Sequence, residues 1–193
     1  MTGSLSITLG PMFSGKTSKL IKEYNQYKEN NRVVAINYSE DTRYHETMLS
    51  SHDLLMIPCI MLKTLQSVWY NEKHENHKEL RDATHIFVNE AQFFGDLYAI
   101  VIDMLEKGKN IYLYGLDGDY KARKFGQIFD LIPYCDNIVK LHANCELCIL
   151  KDQAHGNAIF THRITNEIEQ VVIGNSNYIP LCRSCYYKEN EKM

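Results

Sequence analysis

Three sets of residues in this chain have the types and spacing to do chemistry. The first is Gly10-Pro11-Met12-Phe13-Ser14-Gly15-Lys16-Thr17, a complete G-x4-G-K-T. Glycines there let successive backbone N–H groups curl around phosphate oxygens, and a following helix N-terminus adds positive potential. In that setting Lys16 reaches the β- and γ-phosphates and Thr17 offers its hydroxyl to Mg2+. The motif points to a nucleoside triphosphate and is silent on what accepts the phosphoryl group.

The second set is Ile86-Phe87-Val88-Asn89-Glu90, an apolar run ending in an acid and followed by Ala91-Gln92-Phe93-Phe94. A carboxylate at such a strand end helps to organise Mg2+ or activates the attacking oxygen. Asn89 stands where an aspartate is usual and supplies no charge, which leaves Glu90. Glu90 can activate water, giving an ATPase, or a substrate hydroxyl, giving a kinase. Asp41, in Asp41-Thr42-Arg43-Tyr44, is a second candidate acid.

The third set is two C-x2-C pairs, Cys145/Cys148 and Cys182/Cys185, separated by 33 residues. With no secretory signal the thiols stay reduced, so the pairs read as metal ligands before they read as disulfides. Four thiolates close a tetrahedral zinc site with no open position, the mark of a structural metal. Cys59 and Cys135 stand apart and read as small apolar fillers. With four thiolates satisfying zinc, His142, His155 and His162 are expected to be ordinary polar residues.

These groups need a scaffold that the rest of the sequence describes. Ser4–Leu9 alternates polar and apolar residues and enters the glycine loop as a strand, and Leu20, Ile21, Tyr24 and Tyr27 recur at helical spacing after it. RVVAINY (32–38), 86–88, 110–116 and 138–141 read as further strands, 97–107 as a helix, 64–81 as a weak polar helix, and 39–53 as loop. Strands alternating with helices imply right-handed crossovers and a mostly parallel sheet covered on both faces. The pattern changes near residue 142. An α/β P-loop domain over 1–142 and a small zinc-binding lobe over 143–193 are therefore expected.

Composition sets the outer bounds. The 193 residues include 21 Lys plus Arg and 24 Asp plus Glu, a formal charge of -3, so a strongly basic footprint for nucleic acid is lacking. The apolar stretch 54–62 is far short of the ~20 residues a bilayer span requires. The N-terminus lacks the basic and apolar regions of a signal peptide. A cytoplasmic protein without membrane or nucleic-acid partners is expected.

Taken in order, GPMFSGKT, DTRY, NEAQFFGD, LDGDY…FG and the two C-x2-C pairs resemble the type II thymidine kinase family, over nearly the whole chain from Leu5 to Cys185. The resemblance implies a RecA-like α/β domain, transfer of the γ-phosphoryl of ATP to the 5′-hydroxyl of thymidine or deoxyuridine, feedback inhibition by dTTP, and a homotetramer in the cytoplasm (the host's, for a viral member). It makes Glu90 the base that takes the 5′-hydroxyl proton. The glycine loop with Asp41 and Arg43 would hold ATP, and Thr17 would hold Mg2+, helped by Asp41 and Glu90 directly or through water. A base pocket of Met12, Phe93, Leu116, Tyr120, Phe125 and Thr161 is implied, under a "lasso" loop contributing Val172, Ile173, Gly174 and Tyr178. Asn89 departs from the family pattern, as does Gln170, where many members carry an apolar residue. The competing reading is a RecA-type ATPase whose zinc lobe binds a partner, and a third is a zinc-ribbon interaction protein with a vestigial nucleotide site. ADP release with and without a deoxynucleoside separates them.

Overall fold

The computed structural model describes residues 3–40, 48–51, 55–152, 156–172, 174 and 176–191. Along the chain run β1 (Ser4–Leu9), α1 (Lys16–Lys28), β2 (Val33–Tyr38), β3 (Met48–Ser50), β4 (Met56–Pro58), β5 (Ile60–Leu62), α2 (Gln66–Trp69) and α3 (His77–Asp82). They are followed by β6 (His85–Val88), a 3-10 turn (Ala91–Phe93), α4 (Leu97–Glu106), β7 (Asn110–Gly115), a second 3-10 stretch (Ile128–Tyr134) and β8 (Asn137–Lys140). The last elements are β9 (Ala143–Asn144), α5 (Glu146–Leu150), β10 (Asn157–Ala158), β11 (Phe160–Arg163), β12 (Tyr178–Leu181) and α6 (Arg183–Asn190).

The chain forms two compact units, each assembled from separated segments. One comprises 1–8, 17–115 and 126–139, the other 9–16, 116–125 and 140–193. The first is built on a six-stranded sheet in the order β5-β2-β6-β7-β1-β8. β2 runs parallel to both β5 and β6, and β6 parallel to β7. Ile36, Ile86, Phe87, Val88, Ile111 and Leu113 are all buried, which is why these strands read as near-continuous apolar runs. Helix α4 buries Leu97, Ile100, Val101 and Met104, one stripe at 3.6-residue spacing. Leu20, Ile21 and Tyr24 of α1 pack with Ala35, Phe87 and Tyr114, and the Phe87 ring lies flat on Tyr112 at 4.5 Å and edge-on to Tyr24 at 5.8 Å.

Two local expectations change. The segment 39–53 is not all loop: Met48–Ser50 pairs antiparallel with Met56–Pro58, and Leu49 and Ile57 bury themselves in the α1 cluster. Only one of these three residues on each strand faces the core, too few to stand out amid polar neighbours. The weak helix over 64–81 is two short ones, separated at 70–76. Trp69 is fully buried beneath the Arg81 guanidinium and donates its indole N–H to Asp103.

The second unit has a small core of its own: Ala143, Ala158, Leu181 and Tyr186 with Cys145, Cys148 and Cys185. β9 pairs with β10 and β11 with β12, both antiparallel. Phe160 stacks on Tyr186 at 4.3 Å, joining the second hairpin to α6.

Candidate functional site

The glycine loop follows β1 directly and ends where α1 begins, the strand–loop–helix context that its motif demands. Phe13 and Gly15 take left-handed backbone conformations, φ 63° and 80°. Gly10 sits so close to its surroundings that a Cβ there would lie 2.6 Å from Ser14 Oγ and 2.9 Å from the Leu141 carbonyl oxygen. The Lys16 ammonium is turned back along the loop and donates to the carbonyls of Gly10 and Pro11 at 3.1 and 2.8 Å. Met12 N–H donates to Thr161 Oγ1 at 3.0 Å, tying the loop to β11. Ser14 Oγ is buried with no hydrogen-bond partner among the described residues. A curled backbone, a lysine held over it and an unmatched buried hydroxyl fit a polyphosphate.

In the sheet unit, Glu90 comes two residues after the end of β6 and caps the 3-10 turn with φ 51° and ψ 41°. A left-handed non-glycine residue carries strain that its surroundings must hold, and such residues gather at functional sites. The restraints are visible. Asn89 N–H continues the sheet to the Ile36 carbonyl at 2.9 Å, and the Asn89 amide donates to Asn37 Oδ1 at 2.9 Å. Thus Asn89, in place of an aspartate, forms a buried neutral amide pair. The Glu90 carboxylate accepts from Gln92 Nε2 at 2.6 Å. Gln92 is buried, and its backbone leaves no room for a side chain at Gly126, where a Cβ would lie 2.1 Å from the Gln92 carbonyl oxygen. Phe93 stacks on Tyr38 at 5.0 Å, while Phe94 beside it is wholly buried.

In the second unit, Leu116, Phe125 and Thr161 are buried. The stretch 116–125 turns around Asp119, whose Oδ1 accepts from the N–H groups of Lys121 and Arg123 and whose Oδ2 accepts from the Arg123 guanidinium and the Gln170 amide. Burial alone would raise the Asp119 pKa, but these donors outweigh it and hold the carboxyl below its ordinary value. Tyr120 and Tyr178 spend their hydroxyls on loop carbonyls, those of Ile168 and Val172, each at 2.9 Å. Gly174 has φ 149°, a conformation that other residues rarely adopt. Asp41, Arg43 and Ile173 lie outside the described residues.

Cys145, Cys148, Cys182 and Cys185 come together with all four sulfurs within 4.8 Å of one another. The Cys148 sulfur is 3.9 Å from that of Cys182 and 3.8 Å from that of Cys185. A tetrahedron with Zn–S bonds of ~2.3 Å has S···S edges of roughly 3.8 Å, so the set fits zinc. Burial raises the Cys145 thiol, yet hydrogen bonds from Cys182 and Cys148 bring it down to about 7, while burial and its three neighbours push Cys185 up to about 12. A cation bound among the four sulfurs would draw off their remaining protons. A Cβ at Gly156 would meet the Cys182 Cβ at 3.0 Å, which accounts for a glycine beside the cluster. Of the nearby histidines, His142 is exposed, and His162 is buried with its ring edge-on to Tyr186; His155 is outside the described residues.

A buried hub that pattern reading misses is Arg163, only 3% exposed and bonded to four oxygens. A single arginine in Phe-Thr-His-Arg has no spacing signal to announce it.

The family model described as thymidine kinase matches residues 3–186. Thymidine kinase a of Arabidopsis thaliana is 36% identical over 188 residues, spanning 96% of this chain and 75% of the relative. The thymidine kinase of Yaba monkey tumor virus is 34% identical, spanning 98% and 97%, and the cytosolic thymidine kinase of Gallus gallus 31%, spanning 97% and 78%. With plant, viral and vertebrate relatives matched along almost its whole length, the chain belongs to the thymidine kinase family and is an enzyme that phosphorylates thymidine.

Proposed function

We propose that the phosphoryl donor is ATP, that the acceptor is the 5′-hydroxyl of thymidine, and that Glu90 is the general base. The observation carrying this reading is Glu90 itself: an acid held left-handed at a strand end, with its carboxylate oriented by Gln92. A carboxylate so placed to take the hydroxyl proton is typically worth ~10²–10⁴ in rate. Loosely bonded phosphoryl transfer needs charge neutralisation and positioning more than covalent help. ATP with Mg2+ supplies the transferable group and the metal charge. Lys16 and the loop N–H groups bind phosphate oxygens, Ser14 adds a hydroxyl, and Thr17 with Glu90, and Asp41 by resemblance, hold Mg2+ directly or through water. Phe93, Leu116, Phe125 and Thr161 are assigned to the pyrimidine, with the loop after β11 as its cover and a barrier to water. The four cysteines hold a structural zinc. Use of deoxyuridine, inhibition by dTTP, the homotetramer and a cytoplasmic setting follow from the family resemblance; none of the described helices is long and apolar enough to cross a membrane.

The experiment is ADP release by the purified enzyme with and without thymidine. Release that depends on thymidine, with dTMP formed in equal amount, is expected; comparable release without it indicates the ATPase alternative. Glu90→Gln is expected to bind ATP normally while kcat falls ~10²-fold or more. Near-normal turnover would remove Glu90 from the role.

A further inference from the structure

Arg163, the last residue of β11, is buried, and arginine is almost never buried unless paired. Its hydrogen bonds go to the loop that follows it. Nη1 donates to the carbonyls of Glu167 and Glu169 at 2.8 and 2.6 Å, and Nη2 to the Gln170 carbonyl at 3.2 Å and the Tyr178 hydroxyl at 2.6 Å. Nε has no partner among the described residues. The guanidinium carbon lies 3.8 Å from the centre of the Tyr120 ring and 5.1 Å from that of Tyr178. The two ring hydroxyls take the carbonyls of Ile168 and Val172, and the Gln170 side chain reaches out to Asp119. The carbonyls of Glu167, Ile168, Glu169, Gln170 and Val172 are thus gathered on one cation and two tyrosines. Apolar packing adds little to the loop's order. Ile164, Ile168 and Val171 are 54%, 79% and 44% exposed and contribute little core, and an unrestrained stretch of this length carries a large conformational entropy.

We propose that Arg163 is a positioning residue for the nucleoside: by holding 164–172 in one shape through their carbonyls, it sets thymidine affinity without touching the reacting atoms. This rests on the reading of the loop as the nucleoside's cover. A planar guanidinium divides its two Nη groups among four acceptors, which a lysine ammonium with three donors cannot reproduce. When the binding-competent shape is only a fraction of the population, apparent affinity falls by that fraction.

The test compares wild type with Arg163→Met and Arg163→Lys, measuring kcat, KM for thymidine, KM for ATP, bound zinc, and cleavage by a glutamate-specific protease at Glu167 and Glu169. For Arg163→Met we expect thymidine KM to rise about tenfold or more, kcat and ATP KM to stay within about threefold, zinc to remain, and cleavage to accelerate, with Arg163→Lys recovering part of the affinity. Unchanged cleavage and unchanged thymidine KM overturn the proposal. Faster cleavage with unchanged KM shows that the clasp is real but overturns the loop's assignment to the nucleoside. Should Arg163→Met lose its zinc, Tyr120→Phe, which removes only the hydroxyl on Ile168, decides: thymidine KM is expected to rise about threefold, and no rise overturns the proposal.

Discussion

The two units of this chain are held together by different physics. In the sheet unit, order comes from apolar burial: Phe87, Leu113, Ile86 and Val88 are fully buried on strands covered by α1 and α4, and each adds its share of area removed from water. In the other unit the core is a few residues around four sulfurs, and the long segments 116–125 and 164–172 are ordered by Asp119 and Arg163, a buried carboxylate and a buried guanidinium. An apolar core tolerates approximate fits because its interactions are many and non-directional. A cysteine cluster and two charged hubs rely instead on a handful of directional bonds.

The largest test of that contrast is removal of the metal. Stripping zinc with a chelator, or Cys148→Ser, is expected to remove on the order of 10 kcal/mol from the cysteine-held unit. Hydrogen exchange would then show amides of β11, β12 and α6 losing protection while those of β6 and β7 keep theirs. Simultaneous loss in both would break the contrast. Next in size is Phe87→Ala, which opens a cavity beneath Tyr24 and Tyr112 and is expected to cost about 3–5 kcal/mol. Thermal melts would register it, and zinc content should not change.

Thr161→Val sharpens the comparison within the second unit. It removes the acceptor of Met12 N–H and leaves that donor unmatched, at about 1–3 kcal/mol. ATP KM is the readout, expected to rise about tenfold. The smallest effect belongs to Asp119→Asn, about 1 kcal/mol by urea midpoint. Because the folded carboxyl lies below its ordinary value of 3.8, its contribution is complete above that value and is lost as pH falls through the lower folded one. The gap between wild type and variant is therefore widest at neutral pH and closes below about pH 4.

The same contrast explains what could be read from the residues alone. The sheet unit was legible because strand and helix periods repeat: β1, β2, β6 and β7 appear within a residue or so of where alternation and apolar runs put them. The glycine loop and the cysteine pairs were legible because their spacing is itself chemistry. Met48–Ser50 was not, since one core-facing leucine in a polar stretch makes no pattern. Nor was Arg163, nor the pairing of Gln170 with Asp119 across 51 residues of sequence; a hub that binds main-chain oxygens depends on where the chain returns in space, and residue types leave no trace of that. The same holds for 9–16 and 116–125, which join 140–193 in one unit despite their distance along the chain.

A loop gripped by its carbonyls is indifferent to most of its own side chains. Every residue type carries the same oxygen, so Asn166, Glu167, Ile168 and Glu169 can be exchanged for others while the grip persists. Substitutions on the outer surface of this loop can thereby alter its charge or protease sensitivity while the shape beneath them persists.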